Sequence, residues 1–254
     1  MGRWIIPAAA IAGLAAIVSG AYVTSVAVAV QPGLAQPNLE LHRIIAFLAI
    51  AAGIAVLLAR PRSRQLHGLV AALIALIASA TVGWNHPLSP AAAVAHASAS
   101  HIFTAAVAFA LIAETAPPKE AIPAGSWTAL RPVALWTPAA VFVQIVLGAL
   151  YRHQITGIMP HMLGAMVVAL LTIVVSAILL QHFSQSPALK RAAALLMTAV
   201  LLQICLGIAV FLLLLLNASN TSAFVWLATA HVTTGTLVFA ASILMSIEVR
   251  RNLR

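Results

Sequence analysis

Four histidines of this chain sit inside apolar segments, and each is followed four residues later by a small side chain: His42 by Ala46, His101 by Ala105, His161 by Ala165 and His231 by Gly235. Positions four apart share one face of a helix, so the small residue leaves room for a flat group beside the imidazole. Imidazole is a common metal ligand, and it is costly to place in lipid without a partner. Taken singly, each of the four reads as a hydrogen-bonded structural residue. Together, in one repeated context, they point to a bound iron porphyrin.

The elements that must hold these residues are membrane helices. Of 254 residues, 63% are hydrophobic and only 7% charged, and the mean hydropathy is +1.08. Crossing the bilayer core takes roughly 20 apolar residues, and about eight such stretches can be read. They run from Trp4 to Val30, Leu39 to Ala59, Gln65 to Trp84, Ala91 to Thr115, Val133 to Tyr151, Met159 to Gln181, Ala192 to Leu216 and Val225 to Glu248. The first is longer than the apolar core of a usual signal peptide. The lone cysteine, Cys205, lies in an apolar segment and reads as a small packing residue.

A formal net charge of +9 would suit nucleic acid, but the placement of the basic residues excludes that reading. With the N-terminus inside, Arg3, Arg60, Arg62, Arg64, Lys119, Arg131, Lys190, Arg191, Arg250, Arg251 and Arg254 fall on the cytoplasmic side, and only Arg43 and Arg152 fall outside. Eight spans with both termini cytoplasmic satisfy this asymmetry. The expected fold is therefore an all-α membrane protein of two repeated four-helix bundles, residues 1–115 and 133–254, joined by a Pro-rich cytoplasmic linker at 116–132.

The halves echo each other. His42 opens the second segment as His161 opens the sixth, and His101, Ala105, Phe109 and Ala110 recur at identical spacing as His231, Gly235, Phe239 and Ala240. His96 lacks that echo, which points to His101 rather than His96 as the ligand. Within the second half, Gln144, Leu147 and Gly148 recur as Gln203, Leu206 and Gly207. The glycines suit close helix packing, and the glutamines suit either a bridge between helices or a polar wall of a cofactor cavity.

Two imidazoles on one haem iron must come from facing helices at similar depth, so the natural pairs are His42 with His101 and His161 with His231. Haem propionates favour the interface, where arginine binds them by charge-assisted hydrogen bonds; Arg43 and Arg152 are the outer-side candidates, with snorkelling to headgroups as their alternative role. Glu40 is the one acid on that side. His67, His86, His153 and His182 lie nearer segment ends and read as interfacial. The chain has no aspartate, no zinc-site spacing and no phosphate-binding glycine loop.

The run from Gln144 to Gly148 followed by Ala149, Arg152 and His153, then His161 with Gly164 and Ala165, resembles the haem A synthase family. Gln203 to Gly207 followed by Ala230, His231 and Gly235 is similar to it as well, and His42-Arg43 and His101 agree with the histidines expected in the first half. The resemblance implies that His161 and His231 ligate a haem b cofactor, while His42 and His101 border a haem O substrate. The implied reaction oxidises a porphyrin methyl group of haem O to a formyl group, giving haem A. A haem O supplier such as a haem O synthase, an electron donor and a bacterial inner-membrane setting come with it, as does assembly as a homo-oligomer or complex subunit. Two features depart from the family. Its catalytic glutamate stands three residues before the first histidine, where this chain has Leu39; Glu40 is displaced by about 100° around the helix and serves as acid or base only if it points into the N-terminal cavity. The first outer loop, Gln31 to Asn38, also lacks the cysteine pair of many members.

Two other readings remain. A non-enzymatic haem-binding cytochrome subunit or oxidase-assembly factor would keep the scaffold without the catalytic carboxylate. A transporter with duplicated halves would use the histidines as a proton relay, but leaves their small companions unexplained.

Overall fold

The computed structural model describes residues 4–29, 32–59, 70, 72–74, 76–78, 81, 88–115, 122–123 and 125–253. The described residues form an all-helical protein. Its long helices are α1 (Ile5–Val28), α2 (Pro32–Ala59), α3 (Pro90–Thr115), α4 (Leu130–Arg152), α5 (Met159–His182), α6 (Pro187–Leu215) and α7 (Ser222–Asn252). Seven helices among the described residues are long and apolar enough to cross a membrane. The described part of the Gln65–Trp84 stretch, including Ala72–Ile74 and Leu76–Ala78, is helical too. Arg60, Arg62, Arg64, His67, His86 and Lys119 lie outside the described residues.

Helix boundaries follow local chemistry more than apolar runs. The expected loop at Gln31–Asn38 is helical from Pro32 onward, because proline at a first helical position gives up an N–H that has no partner there anyway. Pro187 likewise starts α6 five residues before the apolar stretch, with Lys190 and Arg191 in its opening turns. The Thr221 hydroxyl caps α7 by accepting from the Phe224 N–H at 3.3 Å.

The packing is that of a protein solvated by lipid. Large side chains such as Leu163, Met166, Leu170, Leu202 and Leu212 face outward, whereas the interior takes small hydroxyl residues: Thr137, Thr172 and Ser242 are fully buried. With no water inside, their hydroxyls return to carbonyls of their own helices, Thr137 to Val133 at 2.9 Å, Thr172 to Val168 at 2.7 Å and Ser242 to Phe239 at 2.7 Å. Cys205 is exposed on α6, so it faces outward instead of filling the interior.

Helices α4, α5, α6 and α7 pack in a cycle, each against the next and α7 back on α4. In the other half α1 packs on both α2 and α3, and the halves meet where α1 and α3 lie along α7 and α3 along α4. Among the described residues, the pairs α2 with α3 and α5 with α7 make few or no close backbone contacts. They are diagonal partners, with an interior gap between them. Phe103 of α3, 1% exposed, crosses the first gap and lies against Gly53 of α2 and Gly13 of α1. At the end of the bundle away from His161, the Ile122 N–H donates to the Asn252 carbonyl at 2.6 Å and Trp127 lies over His182 with ring centroids 4.7 Å apart, tying the segment before α4 to α5 and α7.

A β-carbon at Gly53 would come within 2.8 Å of the Phe103 ring. Gly53→Ala should therefore destabilise the first half by about 1–3 kcal/mol, the usual cost of overpacking, measured as a lowered thermal unfolding midpoint in detergent. Adding Phe103→Leu should recover part of the loss; equal midpoints for Gly53→Ala and the parent would contradict the contact.

Candidate functional site

His161 stands in the first turn of α5, and His231 lies in the N-terminal third of α7. The tight turn after α4, in which Gln154 adopts a left-handed φ of 59°, returns the chain quickly enough for α5 to begin beside the end of α4. Because α5 and α7 are diagonal, the two imidazoles meet across the gap: their ring centroids are 6.2 Å apart and their planes are inclined by 88°.

Each ring is held from the preceding helix. A β-carbon on Gly148 of α4 would sit 3.0 Å from His161 Cε1, and one on Gly207 of α6 would sit 3.0 Å from His231 Cε1. These two glycines are small because an imidazole lies on them. One turn earlier on the same helices stand the glutamines. Gln144 places Nε2 2.9 Å from His161 Nδ1 and donates to the His161 carbonyl at 2.8 Å. Gln203 Nε2 lies 3.3 Å from His231 Nε2. Gln144 and Gln203 abut Gly164 and Gly235 respectively. Of the small positions four residues after the two histidines, Gly235 thus accommodates a neighbouring amide, whereas beside His161 it is Gly164, not Ala165, that does so.

The first half repeats the imidazole geometry with a different partner. His42 of α2 faces His96 of α3, with ring centroids 6.2 Å apart and planes inclined by 82°. A β-carbon at Gly20 of α1 would fall 2.9 Å from His42 Cε1, and the Ser19 hydroxyl lies 2.9 Å from His42 Nδ1. A cavity of about 20 Å³, lined by Ala16, His42, Ala46, His96, Ser100 and Phe103 among others, opens beside the pair; that is room on the scale of a water molecule.

The ring that faces His42 is thus that of His96, not that of His101, the partner expected from the sequence. The five-residue offset turns the two histidines of α3 about 140° apart, so both cannot face α2. His101 is buried, with Nδ1 2.7 Å from the Ala97 carbonyl one turn back on its own helix. The sequence does carry the right signal. Ala93-Val94-Ala95-His96 matches Ala228-Thr229-Ala230-His231, and Ser100 stands where Gly235 does. The Phe-Ala echo at Phe109 and Phe239 gave a competing register.

The charged residues Glu40, Arg43 and Arg152 are engaged elsewhere. Glu40 pairs with Arg43 at 2.6 Å, its side chain 62% exposed, and does not line the cavity. Arg152 reaches from α4 into the other half, where Nη2 donates to the Ala21 carbonyl at 2.6 Å and to the Ser25 hydroxyl at 2.7 Å on α1. Beyond the helix end, burial, the adjacent Arg152 guanidinium and the charge of His96 hold the His153 imidazole below its ordinary pKa.

Among the described residues, no group of three or more His, Cys, Asp or Glu side chains could hold a metal ion unaided. The two histidine pairs can supply two ligands each. Comparison of the chain with models of known protein families and with characterised proteins finds no match.

Arg152→Met removes two hydrogen bonds from a charged donor, each worth about 1.5–3 kcal/mol. It should lower the unfolding midpoint clearly more than Ser25→Ala, which removes one. Equal midpoints for Arg152→Met and the parent would show that the α4–α1 tether contributes nothing.

Proposed function

We propose that the chain is a haem-binding membrane oxidoreductase of the haem A synthase kind, with one haem between His161 and His231 and a haem substrate beside His42 and His96. The observation that carries this reading is the recurrence of a 6.2 Å, near-perpendicular imidazole pair on diagonal helices in both halves. With metal–nitrogen distances of about 2 Å, rings at this separation would leave room for one metal ion between them, held by His161 and His231 in one half and by His42 and His96 in the other. A pair supplies only two donors, which suits an ion whose remaining ligands arrive in a macrocycle. The buried, unpartnered atoms His231 Nδ1, Gln144 Oε1 and Gln203 Oε1 fit a site whose hydrogen bonding is completed on loading.

A haem held there supplies redox chemistry. The protein's own residues orient and exclude: Gly148, Gly207 and Gly20 seat the rings, Phe103 closes the floor of the first cavity, and the stacked rings of Phe142 and Phe239, 5.7 Å apart, pack in the second half. On this reading the duplicated halves open to the outer side of a bacterial inner membrane with both termini cytoplasmic, a haem O synthase supplies substrate, and a separate donor supplies electrons. The propionate roles of Arg43 and Arg152 would require them to leave Glu40 and α1.

One observation favours the second reading, a haem-binding cytochrome subunit or assembly factor without catalysis: the only outer-side carboxylate, Glu40, is turned to Arg43 and solvent. Expression in cells that make haem O but no haem A separates the two. Haem A or its hydroxylated precursor in the extracted pigment supports the enzyme; bound b-type haem without conversion supports the second reading.

The ligand assignment has its own test. His161→Ala and His231→Ala should each abolish the bis-imidazole spectrum of the second half, and His96→Ala, not His101→Ala, should abolish any such signal from the first. Unchanged spectra in His161→Ala and His231→Ala would refute the assignment.

A further inference from the structure

Two glutamines in lipid-embedded helices need a reason, since an amide without partners is costly there. Gln144 and Gln203 each stand four residues before the glycine that seats a histidine, and each brings its amide to that ring. General helix packing does not account for them. In the first half, the position four residues before Gly20 is Ala16, and a serine meets His42 instead. In the second pair each imidazole meets a two-ended polar group. Both glutamines also keep Oε1 buried with no hydrogen-bond partner, an arrangement that persists only where something else requires it.

We propose that Gln144 and Gln203 are positioning residues that fix the tautomer and basicity of His161 and His231 and thereby set the reduction potential of the metal group between them. This rests on the haem reading above. A neutral imidazole that gives Nε2 to a metal carries its remaining proton on Nδ1 and must donate it. Gln144 already sits at His161 Nδ1, and a turn of its amide about the last torsion presents the unpartnered Oε1 as acceptor. On His231 the two nitrogens exchange roles: Gln203 Nε2 lies 3.3 Å from Nε2 while Nδ1 is buried and unpartnered, so Nδ1 is the nitrogen left for a metal and a turned Gln203 amide accepts from Nε2. An acceptor on the distal nitrogen makes the imidazole a stronger donor to iron, which stabilises the ferric state and lowers the potential.

The test uses the full chain purified from haem-replete cells, with redox titration followed optically. Gln144→Met and Gln203→Met, which keep side-chain volume and remove the acceptor, should raise the midpoint potential of the second-half haem and weaken its retention by about 10–100-fold. Gln144→Glu, a stronger acceptor, should shift the midpoint the opposite way while retaining haem, a sign change that a merely structural role would not produce. Parent-like midpoints and haem content in the Met variants overturn the inference and leave the haem reading standing. Haem loss from all three variants with the helical fold intact also overturns it, since the acceptor then tunes nothing. A parent chain that folds but binds no haem overturns the haem reading and this inference together.

Discussion

The structure depends on keeping imidazoles inside an apolar bundle without stranding them. A helix can present such a ring to its neighbour only if the neighbour makes room, and a ring can meet a second one only across a gap that backbones do not fill. Both conditions are met by geometry. Glycines at positions 20, 148 and 207 make the room, and the use of diagonal helices, α2 with α3 and α5 with α7, makes the gap. Aromatic side chains then limit its depth. Phe103 does so against Gly13 and Gly53, and Phe142 with Phe239 packs within the second half. Lipid-facing surfaces need no such provision, which is why large aliphatic residues crowd the outside while threonine and serine occupy the inside.

The two pairs share a separation but differ in surroundings. His161 and His231 are each met by a glutamine amide, in a cluster with three buried polar atoms still seeking partners. His42 is met by a serine hydroxyl, and the space beside its partner His96 is an apolar cavity bounded by alanines and Phe103. The first pair is marked by a water-sized cavity beside it, the second by the amides that meet both of its rings. This contrast underlies the division of roles proposed for the halves.

Much of the architecture was legible because lipid imposes simple rules. Apolar length sets the helices, and their starts depart furthest from it where proline or a basic first turn extends a helix past its apolar run, as at Pro32 and Pro187. The facing of His161 and His231 was legible because both share a motif with Gln144 and Gln203, and the one other histidine on their helices, His182, closes the far end of α5. The N-terminal pair was half legible. Two histidines lie on α3, and the register chosen through Phe109 and Phe239 favoured His101, whereas the Ala-x-Ala-His repeat marks His96. Side-chain direction at the outer surface was not legible at all. Glu40 has Arg43 one turn away on its own helix, and Arg152 finds a carbonyl and a hydroxyl on α1; which of several polar partners a long side chain takes is decided by tertiary placement.

The most direct test of the central claim is electron paramagnetic resonance of the oxidised, full-length chain purified from cells supplied with haem. Imidazole planes crossed as those of His161 and His231 are, at 88°, predict a low-spin ferric signal of large anisotropy that disappears in His231→Ala. A folded, colourless sample with no ferric signal would contradict the account.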